Sequence, residues 1–386
     1  MEGLSHEPRT ALVLSGGGAR AAYQAGVLRG LVDLGVTPVG RSVFDVLVGA
    51  SAGAINAGAL AAFADRFGEG VDGLERVWGA ITAEHVFRTD LRSLGEIGFK
   101  WVRDLSFGGV LRSTSPKSLL DTAPLRDLLA AHIRFDSIAE NVERGALGAL
   151  AILATNLYTA DGVIFVQGRP DIALWRRRRW SIERACIGVD HLMASGAIPI
   201  FFPTVEIDGR HFGDGSVRNT APLSPAINLG ADRIVAIGVS HGHAPETPDS
   251  ARHVGPPTVA QVAASLLDAV LLDAIEVDVE HSARVNCGVV AVPRDDGTLP
   301  LRWIDVLWLA PSRSIGTIAA EHAHRIPTVV RYLMRGLGDD ESTIELASYL
   351  LFDATFCTCL MELGRADVAA RADAIRAFFA GRTQTA

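Results

Sequence analysis

Cysteine is scarce: the 386 residues contain four, Cys186, Cys287, Cys357 and Cys359. They are too few and too scattered for a disulfide framework. The single residue between Cys357 and Cys359 matches no usual zinc spacing, so this pair is expected as buried thiols, with no metal. Lysine is scarcer still. Lys100 and Lys117 are the only two, and 44 acidic residues against 36 basic ones leave a net charge of −8. The basic footprint of a nucleic-acid binder is missing. No stretch reaches the roughly 18 uninterrupted apolar residues of a spanning helix. The opening MEGLSHEPRT carries Glu2 and Glu7 and no apolar core, unlike a signal peptide. The expectation is a cytoplasmic protein, or one peripheral on a membrane.

The composition that remains is globular, with 48% hydrophobic and 21% charged residues, apolar enough to bury a large core. The length suits one large α/β domain with an appendage, or two domains. Ala11–Leu14 reads as a short strand running into Ser15-Gly16-Gly17-Gly18, and a helix follows from about Ala21 to Leu34, ended by Gly35. A second strand, Val43–Val48, leads to Ser51, and Ala52–Ala64 reads as the next helix. This alternation is the grammar of a doubly wound α/β sheet.

Residues 66–141 turn mainly helical, a helical insertion punctuated at Gly108-Gly109 and Ser113–Pro116. Further strands are expected at Gly148–Thr155, Gly162–Gln167, Arg233–Val239 and Gly288–Val292. His191–Pro199 reads as a short helix entering a proline turn, and 242–257 as a loop. From about Ile315 the chain is helical, with interruptions expected at Gly336-Leu337-Gly338 and at Gly364. Ile344, Leu346, Ala347, Leu350 and Leu351 form an apolar stripe there, expected to be core.

Three motifs carry chemistry. The first is SGGGARAAYQAGVL, residues 15–28, a glycine run between strand and helix. Such a run leaves backbone N–H groups pointing outward at a helix N-terminus, where negative charge is favoured. Gly16, Gly18 and Ala21 fit the dinucleotide fingerprint G-x-G-x-x-G/A in form. That assignment needs an acidic residue about 20 positions on, and residues 36–40 read Val-Thr-Pro-Val-Gly. An oxyanion hole is the better use of the loop.

The second motif is VGASAGAIN, residues 48–56, where Gly49, Ser51 and Gly53 form G-x-S-x-G. This is the pattern of a nucleophile elbow, a strand-to-helix turn too tight for larger neighbours. In a parallel sheet it emerges at the same edge as the glycine loop. The third is HFGDGS, residues 211–216, with Asp214 between two glycines so that its carboxylate can approach another loop.

In this order the three motifs resemble the patatin-like phospholipases, over roughly residues 11–228, and ASGAIPIFFPTVEIDGRHFGDGSVRNTAPLSPA is similar to that family's block around its catalytic aspartate. The resemblance implies a three-layer α/β/α sandwich with a mainly parallel central sheet. It also implies a Ser–Asp dyad acting on acyl esters of lipids without a cofactor. Carried over, Ser51 is the nucleophile, Asp214 the general base, and Gly16, Gly17 and Gly18 the oxyanion hole, with Arg20 at the family's basic position. Two positions depart from the pattern: Ala21 stands where the family usually has Gly, and Ser216 where it usually has Gly or Ala. The expected division is 11–228 for the catalytic motifs and core, 229–310 for the rest of the α/β core, and 311–386 for a helical C-terminal region.

Other assignments stand beside this one. An α/β-hydrolase triad would join Ser51 and Asp214 to His241 or His243, but that fold builds several strands before its elbow, and here one strand precedes Ser51's own. A CoA-dependent acyltransferase would want a His partner for the serine, and a membrane-surface scaffold would keep the fold without turnover. His191 and His211 are expected in structural or surface roles. Leu174-Trp175-Arg176-Arg177-Arg178-Arg179-Trp180 is the strong positive cluster. It suits either anionic headgroups at a membrane surface or a solvated turn with local indole–arginine packing.

Overall fold

The computed structural model describes residues 8–38, 42–88, 118–175, 177–241, 273–291, 302–335 and 341–381. Among the described residues nine strands form one sheet: β1 (Thr10–Leu14), β2 (Val46–Gly49), β3 (Ala149–Asn156), β4 (Asp161–Gly168), β5 (Trp180–Arg184), β6 (Val205–Ile207), β7 (Arg210–Asp214), β8 (Arg233–Ile237) and β9 (Asp305–Leu309). Their order is β5-β4-β3-β2-β1-β8-β9, with β7 on the far half of β3 and β6 on β7. Pairing is parallel from β3 through β2, β1 and β8 to β9, and again between β4 and β5. It is antiparallel at β3–β4, β3–β7 and β6–β7. The chain leaves β1 toward β2 and later returns to its other side as β8, so the loop after β1 sits where the winding direction reverses, the usual place for a ligand.

Alternation along each central strand divides the core in two. Leu12 and Leu14, Leu47, Leu150 and Ile152, and Val235 and Ile237 face one layer. Ala11 and Val13, Val46 and Val48, Ala149 and Ala151, and Ile234 and Ala236 face the other. The period of two therefore generates two buried faces and a three-layer α/β/α sandwich. The first face is covered by α1 (Ala22–Asp33), α2 (Ala52–Ala62), α3 (Phe67–Ala80), α4 (Ala123–His132), α5 (Asp136–Glu143) and α6 (Val189–Ser195), with later helices described below. The second carries α7 (Ser224–Asn228) and α8 (Asp273–Ala291), through Ala226 and Ile275.

The C-terminal helices are α9 (Ile315–Glu321), α10 (Thr328–Arg335), α11 (Glu341–Ser348), α12 (Ala354–Ala370) and α13 (Ala372–Phe379). Leu346, Ala347, Leu350 and Leu351 are buried, as core. α12 lies directly on α1. A Cβ on Gly26 would stand 2.0 Å from the Met361 carbonyl oxygen, and one on Gly364 2.5 Å from that of Tyr23. Tyr23 Oη donates to Asp367 Oδ2 at 2.9 Å across the same crossing.

Two expectations are corrected here. Gly364 does not interrupt the helical tail; it lies inside α12, where its missing side chain lets two backbones touch. The strand expected at Gly288–Val292 is replaced by helix, because Gly288 to Ala291 end α8, and Val292 lies outside the described residues. The inward stripe of α8 is Ile275, Val279, Ser282 and Asn286, and half of it is polar. Asn286 exchanges two hydrogen bonds with the Ile304 backbone, at 2.7 and 3.0 Å. Polar residues on the buried face hid the helical period. Strands β5, β6, β7 and β9 add to those expected, and β2 runs from Val46 rather than Val43. Residues 89–117, with Gly108-Gly109 and Ser113–Pro116, lie outside the described residues, as do the 242–257 loop and Gly336–Gly338.

Candidate active site

β2 delivers Ser51 and α2 departs from it, and the turn between them is tight. Ser51 has φ 53° and ψ −130° and is buried. A serine held at positive φ costs on the order of 1–3 kcal/mol, which the surroundings must impose. Its N–H donates to Ser195 Oγ at 3.0 Å, fixing the turn to the end of α6. A Cβ on Gly49 would come within 2.5 Å of Ala54 Cα, and one on Gly53 within 2.4 Å of the Leu14 and Ser15 carbonyl oxygens. The G-x-S-x-G spacing is thus dictated by backbone contact. Ser51 stands at the N-terminus of α2, and a helix N-terminus favours negative charge.

Asp214 ends β7, whose pairing with β3 sets Asp214 opposite Ala154. Its N–H donates to the Ala197 carbonyl at 3.0 Å, and its own carbonyl accepts from Thr155 Oγ1 at 2.8 Å. Carboxylate Oδ1 accepts the Ser216 N–H at 2.8 Å. The side chain is wholly buried, and burial pushes its pKa from 3.8 up to about 6. The Ser51 hydroxyl, the Ser216 N–H and the Ser216 hydroxyl oppose that rise. Among the described residues, Oδ2 has no partner in hydrogen-bond geometry. The Ser51 hydroxyl is near enough to favour the charged carboxylate without closing a well-formed bond.

The glycine loop lies alongside. A Cβ on Gly16 would stand 3.0 Å from Ser51 Cβ and 2.4 Å from Ser216 Oγ, so the loop backbone packs against both serines. Gly17 has φ 149° and Gly18 φ 55°. Among the described residues, the N–H groups of Gly16, Gly17 and Gly18 have no acceptor, whereas the next one, of Ala19, donates to the Tyr349 carbonyl at 3.0 Å. Backbone donors beside a buried serine are what an oxyanion needs.

Arg20 is the basic residue expected beside these donors. Its guanidinium turns to the C-terminal region: Nε donates to Ser348 Oγ at 2.7 Å and Nη2 to the Glu345 carbonyl at 3.0 Å, and Cζ stacks 4.1 Å from the Tyr349 ring. The contribution of Arg20 is to hold the loop against α11.

Beneath the loop runs a chain of buried amides that sequence reasoning missed. Gln24 Nε2 donates to the Ser15 carbonyl at 2.9 Å, and Asn56 Nδ2 to Gln24 Oε1 at 2.9 Å. Trp78 Nε1 donates to Asn56 Oδ1 at 3.0 Å. The available signal was polar residues set among small apolar ones on α1 and α2, where an unpaired amide would be costly.

From Ser51 a cavity of about 470 Å³ extends between α2, α3 and α4. Ile55, Ala59, Leu74, Trp78 and Phe352 are among its mainly apolar walls. Its size is that of an ordinary small-ligand site.

The remaining candidates lie elsewhere. His241 Nδ1 contacts the Pro311 carbonyl at 2.8 Å, and His243 falls outside the described residues. His191 Nδ1 accepts the Gly188 N–H at 3.1 Å, and burial lowers its pKa. His211 lies 3.4 Å from Thr204 Oγ1. Arg177, Arg178 and Arg179 form an exposed turn leading into β5, with Arg179 at φ 65°; Trp175 and Trp180 are half-buried against the second core face, and Arg176 lies outside the described residues. Cys357 is buried and its thiol pushed up to about 12, Cys359 is half-buried, and Cys186 and Cys287 are exposed. Among the described residues no helix is long and apolar enough to cross a membrane.

Comparison with known proteins adds the context. Uncharacterized NTE family proteins of Mycobacterium tuberculosis and Mycobacterium bovis are 28% identical over 251 residues, 65% of this chain and 54% of theirs. The chain thus spans about half the length of these curated relatives. Human GIVD cytosolic phospholipase A2, solved with methyl gamma-linolenyl fluorophosphonate, is 13% identical with a TM-score of 0.40, covering 97% of this chain and 60% of that one. VipD from Legionella pneumophila is 14% identical with a TM-score of 0.30, covering 79% and 61%. A family model described as patatin-like phospholipase matches residues 12–227. That span is more than half of the chain and contains all three loops that meet at Ser51, and by it the chain belongs to the patatin-like phospholipase family.

Proposed function

We propose that the protein is a serine lipid acyl hydrolase that cleaves carboxylic esters of phospholipids or lysophospholipids through a Ser51–Asp214 dyad. The observation that carries this is that Ser51 and Asp214 are buried beside one another, with Ser51 in the wall of a mainly apolar cavity. An acyl chain fills such a cavity and places its ester carbonyl beside Ser51, the headgroup side remaining toward the opening.

Each part then has a task. Asp214 takes the Ser51 proton as Oγ attacks the ester carbonyl. The N–H groups of Gly16–Gly18, with the start of α2, stabilise the oxyanion, a contact type worth about 3 kcal/mol per donor. As the intermediate collapses, Asp214 returns the proton to the departing alcohol, leaving Ser51 acylated. Water then attacks the acyl-enzyme, giving its proton to Asp214, which passes it to Ser51 as the fatty acid leaves. A carboxyl raised by burial to about 6 is a far better proton acceptor than an exposed aspartate while still ionised near neutrality. The exposed Arg177–Arg179 turn, with Leu174 and Trp175 beside it, is assigned to anionic headgroups at the membrane surface.

The test is a panel of phospholipids, lysophospholipids and triacylglycerols read by product mass, with Ser51→Ala alongside. Release of fatty acid by wild type, its loss in Ser51→Ala at an unchanged melting temperature, and fluorophosphonate labelling of Ser51 are expected. Labelling elsewhere with Ser51→Ala still active would overturn the assignment, and a folded wild type without turnover would leave a scaffold.

A further inference from the structure

Two buried polar atoms beside the dyad lack partners among the described residues: Asp214 Oδ2 and Ser216 Oγ. They belong to one structural unit. Asp214 precedes the single 3-10 turn Gly215–Arg218, and its Oδ1 accepts the Ser216 N–H, which places Ser216 over the carboxylate. The Ser216 hydroxyl also lies against the Gly16 backbone, which in turn packs on Ser51. A buried hydroxyl without a partner is costly, and a serine hydroxyl rotates freely to find one. Small apolar residues would fill this position without that cost.

Resting on the dyad assigned above, we propose that Ser216 is a positioning residue for the second half of the reaction: its hydroxyl donates to Asp214 when acylation has removed the Ser51 proton. In the free enzyme the carboxylate has two side-chain hydroxyls within reach. Once the Ser51 Oγ–H bond has been replaced by Oγ–C and the proton has left with the alcohol, Ser51 has nothing to donate. Asp214 is then a buried anion with no charged partner among the described residues. Its neighbours from β3, from the turn after α6 and from the glycine loop are Thr155, Ala197 and Gly16, all neutral, while the Arg20 guanidinium is engaged with α11. With the Ser216 N–H on Oδ1 as its one remaining donor among these groups, it would more readily take up a proton from solvent and be unable to accept one from the attacking water. The Ser216 hydroxyl prevents this, and is one of the groups that favour the ionised form. The rival use of the hydroxyl is Asn219 Oδ1, an unpartnered acceptor lining the same small cavity behind the loop.

The test is stopped-flow hydrolysis of p-nitrophenyl butyrate, which separates the acylation burst from steady-state deacylation, across pH in wild type, Ser216→Ala and Ser216→Thr. Removing one neutral hydrogen bond to a carboxylate moves its midpoint by roughly half to one pH unit. In Ser216→Ala the deacylation limb should move up by about that amount, and by more than the acylation limb. The rate about one pH unit below the wild-type midpoint then falls roughly threefold to tenfold and the rate near neutrality no more than about twofold, while the high-pH plateau stays at the wild-type level. Ser216→Thr, which keeps the hydroxyl, should restore the wild-type midpoint. An unshifted profile, or an equal loss at every pH that Ser216→Thr shares, overturns the role and returns the hydroxyl to Asn219. If wild type itself shows no burst and no acylated Ser51, it is the dyad that fails.

Discussion

Asp214→Asn should make the protein more stable and nearly inactive, and the stability gain should depend on pH. Burial raises the Asp214 carboxyl from 3.8 to about 6, so the folded protein binds this proton more tightly than the unfolded chain does. The stabilisation is fully present below about pH 4 and is lost as pH rises through about 6. Above that, holding the carboxylate ionised in the interior costs about 3 kcal/mol, at about 1.4 kcal/mol for each pH unit separating the folded and unfolded pKa. Asparagine has nearly the same shape, keeps the acceptor for the Ser216 N–H and carries no charge to desolvate. With an unfolding entropy of about 2.1 cal/mol/K per residue, a 386-residue chain converts that energy into a rise in Tm of about 4 °C. Differential scanning calorimetry of both proteins from about pH 4 to about pH 8 measures it. The variant-minus-wild-type difference should grow with pH from about 4 to about 6 and level off above that. Meanwhile esterase kcat should fall roughly 10²–10⁴-fold, the usual worth of a general base. A Tm difference that is flat with pH, or that shrinks as pH rises, would refute the buried-anion argument.

Other substitutions probe other parts. Gly17→Val should lower kcat on soluble esters and on vesicles alike, because Gly17 sits at φ 149° and a Cβ there meets Val239 Cγ2 at 2.4 Å; unchanged kcat would remove the loop from the oxyanion hole. Ala59→Phe, two turns of α2 beyond Ser51 on the cavity wall, should cut turnover of long-chain p-nitrophenyl esters about tenfold or more while sparing butyrate. Equal effects on both chain lengths would place the acyl chain elsewhere. Replacing Arg177, Arg178 and Arg179 with Ser should weaken turnover on anionic vesicles and spare soluble esters, and the wild-type preference for such vesicles should fade with salt. No difference on vesicles would make the cluster a solvated turn.

The parts of the site legible in the sequence are those where backbone contact dictates residue type. Gly49 and Gly53 cannot carry side chains beside Ser51, and Gly16 cannot carry one beside Ser216, so the spacing of small residues records the geometry directly. The central strands were legible for a similar reason, since burial on both faces produces short apolar runs such as Ala11–Leu14. Ser195, Gln24, Asn56 and Tyr349 were hidden because their partners are distant in sequence, and a polar residue in an apolar stretch does not announce what it will bond. The α8 helix was hidden by Ser282 and Asn286 on its inward face. Arg20 was legible only as a charge next to the glycine run; that its guanidinium reaches 328 residues along the chain to Ser348 leaves no local signal.

That long reach makes the glycine loop dependent on a segment outside the three motifs. The Ala19 N–H on the Tyr349 carbonyl and the Arg20 guanidinium on Ser348 tie the loop to residues 328 or more positions away in sequence. A fragment carrying all three family motifs but lacking residues 345–352 would lose that clamp, and Phe352 would be missing from the cavity wall. The smallest piece expected to keep the loop in place is therefore much longer than the span the motifs cover, and truncation after the matched region should loosen the loop before it touches any motif residue.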